Sequence, residues 1–369
     1  MFILIFISTI FLAFSNGAND NFKGVATLFG SGTTDFKNAI NWATITTALG
    51  SIVSIFFASV LVKNFSGKGL VPDQLLLTPQ FAISVAIGAA ITVMLATKIG
   101  MPVSTTHGLV GALTGVGMIA VGSNFNFSKL GITFFLPLIA SPFLAAMLSF
   151  LLYLLFTNSR KRCGITKDSC VCVSENQKTQ IANSSLTMVE ALNPIEINTG
   201  TLQSCSSQYN GAIVGISAQK TLDISHYISA GAVSFARGLN DTPKMVGLLL
   251  LIKSLDIRIG AAAIGVAIAI GGLLNAKKVG ETMSTKITEM NHGQGFTANL
   301  VTALLVSTAS VNGLPVSTTH VSVGSLFGIG MVTKKVNLKV ISEILLSWLL
   351  TLPVAAIISA TIYLILKII

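Results

Sequence analysis

Long apolar runs broken by short polar punctuation dominate this chain, and a membrane-spanning helix needs about 20 consecutive apolar residues. Ten stretches meet that length, near 2–29, 38–62, 80–97, 101–122, 130–156, 222–252, 256–275, 294–312, 315–332 and 338–366. Each is predicted to be a helix crossing or entering a bilayer. One long polar segment, 157–219, is rich in Ser, Asn, Gln and Thr and separates two hydrophobic halves, 1–156 and 220–369. The first stretch has the apolar core of a signal peptide, but it lacks a basic n-region and runs into Asn19 and Asp20 without a small-residue cleavage site. It reads as a retained first membrane helix.

The halves repeat one another. Pro102-Val103-Ser104-Thr105-Thr106-His107 recurs as Pro315-Val316-Ser317-Thr318-Thr319-His320, with a glycine four residues beyond each histidine, at Gly111 and Gly324. Asn19-Asp20-Asn21-Phe22-Lys23 is answered by Asn240-Asp241-Thr242-Pro243-Lys244, and the Asp-to-Pro spacing is 82 residues in the first half and 74 in the second. Five crossings per half is an odd number, so the second half should enter the membrane from the opposite side. The predicted fold is therefore an all-α polytopic membrane protein of two inverted-topology repeats, with broken or re-entrant helices meeting at a midplane site. If the N-terminus lies outside, 14 of the 23 Lys and Arg fall on inside segments, six on outside segments and three within helices. That bias predicts both termini outside and segment 157–219 in the cytoplasm.

Composition sharpens this picture. With 52% hydrophobic and only 10% charged residues, the chain has too few charges to solvate a soluble protein of its size. The net charge of +10 comes from scattered residues rather than a basic stripe, which argues against nucleic acid and for loop charges that orient a membrane protein. Cys163, Cys170, Cys172 and Cys205 all lie in the polar segment, without paired C-x-x-C spacing, and read as free thiols.

Asn19-Asp20 and Asn240-Asp241 interrupt apolar stretches, each preceded by a glycine at Gly17 or Gly238. An ionised Asp near a bilayer centre costs at least about 2.5 kcal/mol, so it faces a cavity, a partner or an ion. The glycines and Pro243 predict unwound helix there, with freed carbonyls beside the carboxylates as hard oxygen ligands for a cation such as Na⁺. The alternative is a structural ion pair, because Lys23 and Lys244 each follow their Asp by three residues. Each PVSTTH motif opens with proline, predicting a helix start that presents three hydroxyls and free N–H groups to a tetrahedral oxyanion. Hydroxyls that merely bond back to carbonyls are the competing reading. His107 and His320 read as structural or helix-end contacts, since a serine with a histidine three residues on does not by itself make a hydrolytic site.

At these residues the chain resembles the inorganic phosphate transporter (PiT) family of sodium-phosphate symporters. Gly17-Ala18-Asn19-Asp20 is similar to the start of that family's GANDVANA-type signature, Asn240-Asp241-Thr242-Pro243-Lys244 to its second copy, and both PVSTTH motifs match as they stand. Asn21-Phe22-Lys23-Gly24 departs from the family, which has small residues and no Lys there. The resemblance implies phosphate binding by Ser104, Thr105, Thr106, Ser317, Thr318 and Thr319, and a Na⁺ site of Asn19, Asp20, Asn240 and Asp241. It further implies phosphate, Na⁺ and the lipid bilayer as partners, a homodimer, no catalytic residues and no cofactor beyond the coupling ion. The implied activity is phosphate import across a cell membrane by Na⁺ symport with alternating access, and the compactness of the chain suggests a prokaryotic cell. H⁺ coupling, sulfate or another tetrahedral oxyanion as cargo, and an intramembrane hydrolase are the alternatives.

Overall fold

A computed structural model of the chain describes residues 1–57, 59–175, 195–201, 203, 214–252 and 254–368. Among the described residues, ten helices of 16 residues or more follow in order: α1 (Phe2–Asp20), α2 (Phe36–Phe57), α3 (Pro79–Lys98), α4 (Thr105–Val121), α5 (Leu136–Arg162), α6 (Ala218–Leu249), α7 (Ile257–Asn275), α8 (His292–Val311), α9 (Thr318–Thr333) and α10 (Leu338–Ile368). Each overlaps one apolar stretch of the sequence. Seven of them, α1 to α5, α7 and α10, are long and apolar enough to cross a membrane. By contrast α9 has only 16 residues, and α6 carries Arg237, Asp241 and Lys244 in its buried part. Exposed Leu, Ile and Phe side chains cover much of α5 and α10, as lipid-facing surfaces require.

Two helix endings prepare the PVSTTH segments. α3 runs out at Gly100 (φ +76°) and α8 at Gly313 (φ +69°), 213 residues apart, the same offset as between the motifs. Met101 N–H bonds Ala96 O and Gly100 N–H bonds Thr97 O; Leu314 N–H to Ala309 O and Gly313 N–H to Ser310 O repeat the pattern. These are Schellman endings, in which glycine takes the left-handed conformation that closes the last turn. The chain then passes through three residues before Ser104 or Ser317 starts the next helix as N-cap. Proline therefore precedes the cap rather than occupying the first helical turn, correcting that expectation: the serine hydroxyl, accepting from the histidine N–H, is the better initiator.

Close helix crossings join one half to the other. A Cβ at Gly17 would lie 2.0 Å from Ile268 O, and one at Gly238 would lie 2.2 Å from Thr47 O. Thus the first helix of each half packs against the second helix of the other, α1 on α7 and α6 on α2, and glycine permits the backbone approach.

The two polar interruptions behave differently from the expectation that both unwind. α1 ends at Asp20 and helix resumes only at Ala26–Gly30, whereas α6 runs unbroken through Asn240, Asp241 and Pro243. A single proline in a buried helix is tolerated where neighbouring groups satisfy the freed carbonyl.

Residues Leu155–Ser225 form a separate compact unit. It contains an antiparallel sheet in the order β2-β1-β3, with β1 at Ser169–Glu175, β2 at Ile195–Thr201 and β3 at Val214–Ser217. Cys170 pairs with Gly200 on one side and Ser217 on the other. The alternating Val and Cys of 170–173 suit a strand. Cys163 and Cys170 are free thiols, while the Cys172 side chain and Cys205 lie outside the described residues.

Candidate functional site

Helical spacing assembles the site. On α1 and the turn after it, Asn16, Asn19, Asp20 and Lys23 stand at i, i+3, i+4 and i+7; on α6, Arg237, Asn240, Asp241 and Lys244 do the same. Such positions share one helix face. All eight are buried, with Asp20 only 3% and Asp241 only 4% exposed. Asn16 ties the two faces together, its Nδ2 donating to Asp20 Oδ2 at 2.8 Å, to Thr105 Oγ1 at 3.0 Å and to Asp241 Oδ2 at 3.2 Å. The two carboxylates therefore share one amide.

Each lysine closes an ion pair with its own Asp and crosses to the other copy's hydroxyls. Lys23 Nζ pairs with Asp20 Oδ1 and donates to Asn19 Oδ1 at 2.7 Å, Val103 O at 2.7 Å and Thr319 Oγ1 at 2.8 Å. Lys244 Nζ pairs with Asp241 Oδ1 at 2.9 Å and donates to Thr106 Oγ1 at 2.7 Å and Val316 O at 3.1 Å. The crossing is reciprocal: Thr319 Oγ1 donates to Val103 O and Thr106 Oγ1 to Val316 O. Removing one partner of such a buried pair strands a charge and costs about 3–5 kcal/mol.

The remaining predicted residues lie in the same cluster. Thr105 Oγ1 donates to Asp20 Oδ2 at 2.8 Å, and Asn240 Nδ2 reaches Val316 O at 3.2 Å and Thr318 Oγ1 at 3.4 Å. Asn19 is held by Thr97 Oγ1 at 2.9 Å, Met101 O at 3.1 Å and the N–H of Val103 at 3.2 Å. Ser310 Oγ donates to Asn240 Oδ1 at 3.3 Å. Ser104 and Ser317 sit at the same helix starts, with their hydroxyl oxygens engaged as caps. Candidate cation and anion residues thus form one buried assembly.

Asn16, Arg237 and Trp348 are among the members that the motifs alone do not reveal. Asn16 and Arg237 occupy equivalent positions, 221 residues apart like Asp20 and Asp241, and the repeat register extended four residues upstream would have found them. Arg237 donates to Asn16 Oδ1 at 3.4 Å, Asn21 Oδ1 at 2.8 Å and Thr47 Oγ1 at 3.1 Å, while its Nε is buried without a protein partner. Trp348 is the third, its Nε1 donating to Pro102 O at 3.0 Å.

The histidines face away from hydrolytic chemistry. Each contributes its backbone N–H, not its ring, to its serine. The rings meet edge to face with centroids 4.4 Å apart, His320 stacks on Trp348 at 3.8 Å, and His320 Nδ1 donates to Leu138 O at 3.0 Å. Among the described residues no group of three or more His, Cys, Asp or Glu could hold a metal ion.

A polytopic helical membrane protein whose buried charges converge on two hydroxyl-bearing helix starts has the features of a transporter. The chain belongs to the phosphate transporter family, whose model matches residues 16–359. It is similar to a Thermococcus kodakarensis protein named as a putative phosphate permease, 27% identical over 393 residues, covering 97% of this chain and 96% of that one. A Rhizobium meliloti protein named as a probable low-affinity inorganic phosphate transporter is 24% identical over 365 residues, covering 96% of this chain and 93% of that one. A solved structure, named as the sodium-dependent phosphate transporter, superposes with a TM-score of 0.76 at 25% identity, covering all of this chain and 99% of that one. These relatives are transporters and permeases rather than enzymes.

Proposed function

We propose that this chain is a secondary active transporter importing inorganic phosphate across a cell membrane by alternating access. The observation that carries the reading is the single buried cluster in which Asp20, Asp241, Thr105, Thr106, Thr318 and Thr319 meet at the N-termini of α4 and α9. Two helix starts supply partial positive charge and N–H groups, and adjustable hydroxyls supply donors, a combination suited to a tetrahedral oxyanion. Ser104, Thr105, Thr106, Ser317, Thr318 and Thr319 are the phosphate ligands in this reading. Residues 1–156 and 220–369 act as two inverted repeats, an arrangement supported by the reciprocal crossings of α1 on α7 and α6 on α2. The polar segment 157–219 lies in the cytoplasm, both termini lie outside, and two copies form the working dimer.

Symport with Na⁺ is the first reading of the driver. It is supported by the sodium dependence for which the solved relative is named. A sodium-independent or proton-driven symport is the second, favoured by one observation: each carboxylate already holds a lysine ammonium. Uptake of radiolabelled phosphate into proteoliposomes under an imposed Na⁺ or H⁺ gradient tests both readings. Uptake driven by a proton gradient and indifferent to sodium selects the second driver. Uptake of sulfate but not phosphate overturns the cargo.

A further inference from the structure

We infer that Lys23 and Lys244 are tethered cations that fill the cation seats beside Asp20 and Asp241, so that phosphate binds to this protein without Na⁺. The inference rests on the phosphate reading above. Consider the shell around Lys23 Nζ: a carboxylate oxygen of Asp20, the amide oxygen of Asn19, the carbonyl of Val103 and the hydroxyl of Thr319. An ammonium has three N–H groups, so four oxygens converge on three donors. That is the donor set of a hard monovalent cation, and Nζ stands at its centre. The shell around Lys244 Nζ is the same set without the asparagine amide, three oxygens for three N–H groups: Asp241 Oδ1, Val316 O and Thr106 Oγ1. A sodium ion ligated by Asp20 Oδ1 and Asn19 Oδ1 would need the position that Nζ occupies.

Charge supplies the second argument. Phosphate carries one to two negative charges near neutral pH, and two bare carboxylates would repel it at close range. A mobile cation is one remedy. Here the buried cluster holds Lys23, Lys244 and Arg237 against Asp20 and Asp241, which leaves a formal charge of +1 before any ion is added. The lysines are covalently held, so their local concentration does not fall when bulk sodium does. Both also donate to threonine hydroxyls of the opposite motif, Thr319 and Thr106, within reach of an oxyanion at the helix starts. Arg237 Nε, buried and unpartnered among the protein groups, adds a further donor.

The test is equilibrium binding of radiolabelled phosphate to the purified full chain, with Na⁺ exchanged for choline at fixed ionic strength. For the wild type, the Kd should agree within about twofold between the two salts. For the Lys23→Met, Lys244→Met double variant, phosphate binding should be lost in choline and regained in part in Na⁺, as the vacated oxygens take up the ion. A wild-type Kd that tightens about tenfold or more with Na⁺ overturns the inference and leaves the phosphate reading standing. A double variant that binds as tightly as the wild type in choline overturns it as well. No phosphate binding by the wild type in either salt removes both readings together. If the double variant does not elute as a single folded species, the wild-type comparison decides alone.

Discussion

The surroundings of Asp20 and Asp241 are two versions of one pattern that differ in charge and in backbone. Both carboxylates hold a lysine three residues on, both neighbour an asparagine, and both lysines cross to the other motif's hydroxyls. One turn upstream, however, the first copy has the neutral Asn16 and the second has Arg237. The first copy is accordingly charge-balanced, whereas the second carries a surplus cation. The backbone differs too, since α1 stops at Asp20 while α6 continues past Asp241. One position of the repeated pattern, Asn16 against Arg237, thus sets the difference in formal charge between the two sides.

The largest losses are expected at the carboxylates. Asp241→Ala would strand Lys244 and Asp20→Ala would strand Lys23, and Arg237 lies in the field of both carboxylates, with Asp241 the stronger. Both should lose about 3–5 kcal/mol, with Asp241→Ala the worse, as read by the midpoint of thermal unfolding of the purified protein. Equal losses would show that Arg237 takes no more support from Asp241 than from Asp20.

The scaffold symmetry is next. Gly17→Ala and Gly238→Ala each drive a methyl into a facing carbonyl, Ile268 O and Thr47 O. Overpacking of this kind costs about 1–3 kcal/mol, and the two reciprocal crossings should lose similar amounts. A cost at one glycine and none at the other would separate the copies.

A gentler change erases the difference itself. Arg237→Asn gives the second copy the residue of the first, removes the surplus charge, and should weaken phosphate affinity about tenfold, or about 1.4 kcal/mol. Isothermal titration with phosphate measures it. An unchanged affinity would move Arg237 from the anion's field to a purely structural role.

Single hydroxyls should matter less. Thr105→Val removes a 2.8 Å donation to Asp20, and Thr318→Val removes the hydroxyl that Asn240 reaches at 3.4 Å. The first should cost about 1 kcal/mol in stability and the second less, by the same unfolding measurement.

Outside the membrane, Lys335 donates to Glu289 Oε2 at 2.8 Å and holds the exposed Glu289 carboxyl below its usual range. A lowered carboxylate pKa contributes stability above its ordinary value, lost as pH falls through the lowered one. Both side chains are solvated, so Lys335→Ala should leave the unfolding midpoint unchanged at neutral pH.

Much of this arrangement was legible in the residues. Helix number followed from apolar run length, and the Asn-Asp and PVSTTH pairs marked the site because buried polar residues in a membrane need a function or a partner. Arg237 stayed hidden because its meaning depends on register with Asn16 rather than on any motif. The strands of 169–217 were passed over because polar composition masked a short alternation of Val and Cys.

The sequence by itself determined that this is a multi-pass helical membrane protein built from a duplicated half, since periodicity, run length and repeated motifs are local properties of the chain. Only the tertiary structure decided which groups meet: that Lys23 bonds Thr319 and Lys244 bonds Thr106, that Asn16 bridges both carboxylates, and that α6 passes Pro243 unbroken. Most of those contacts join residues more than a hundred positions apart. Their geometry arises from how helices cross, which no local pattern encodes.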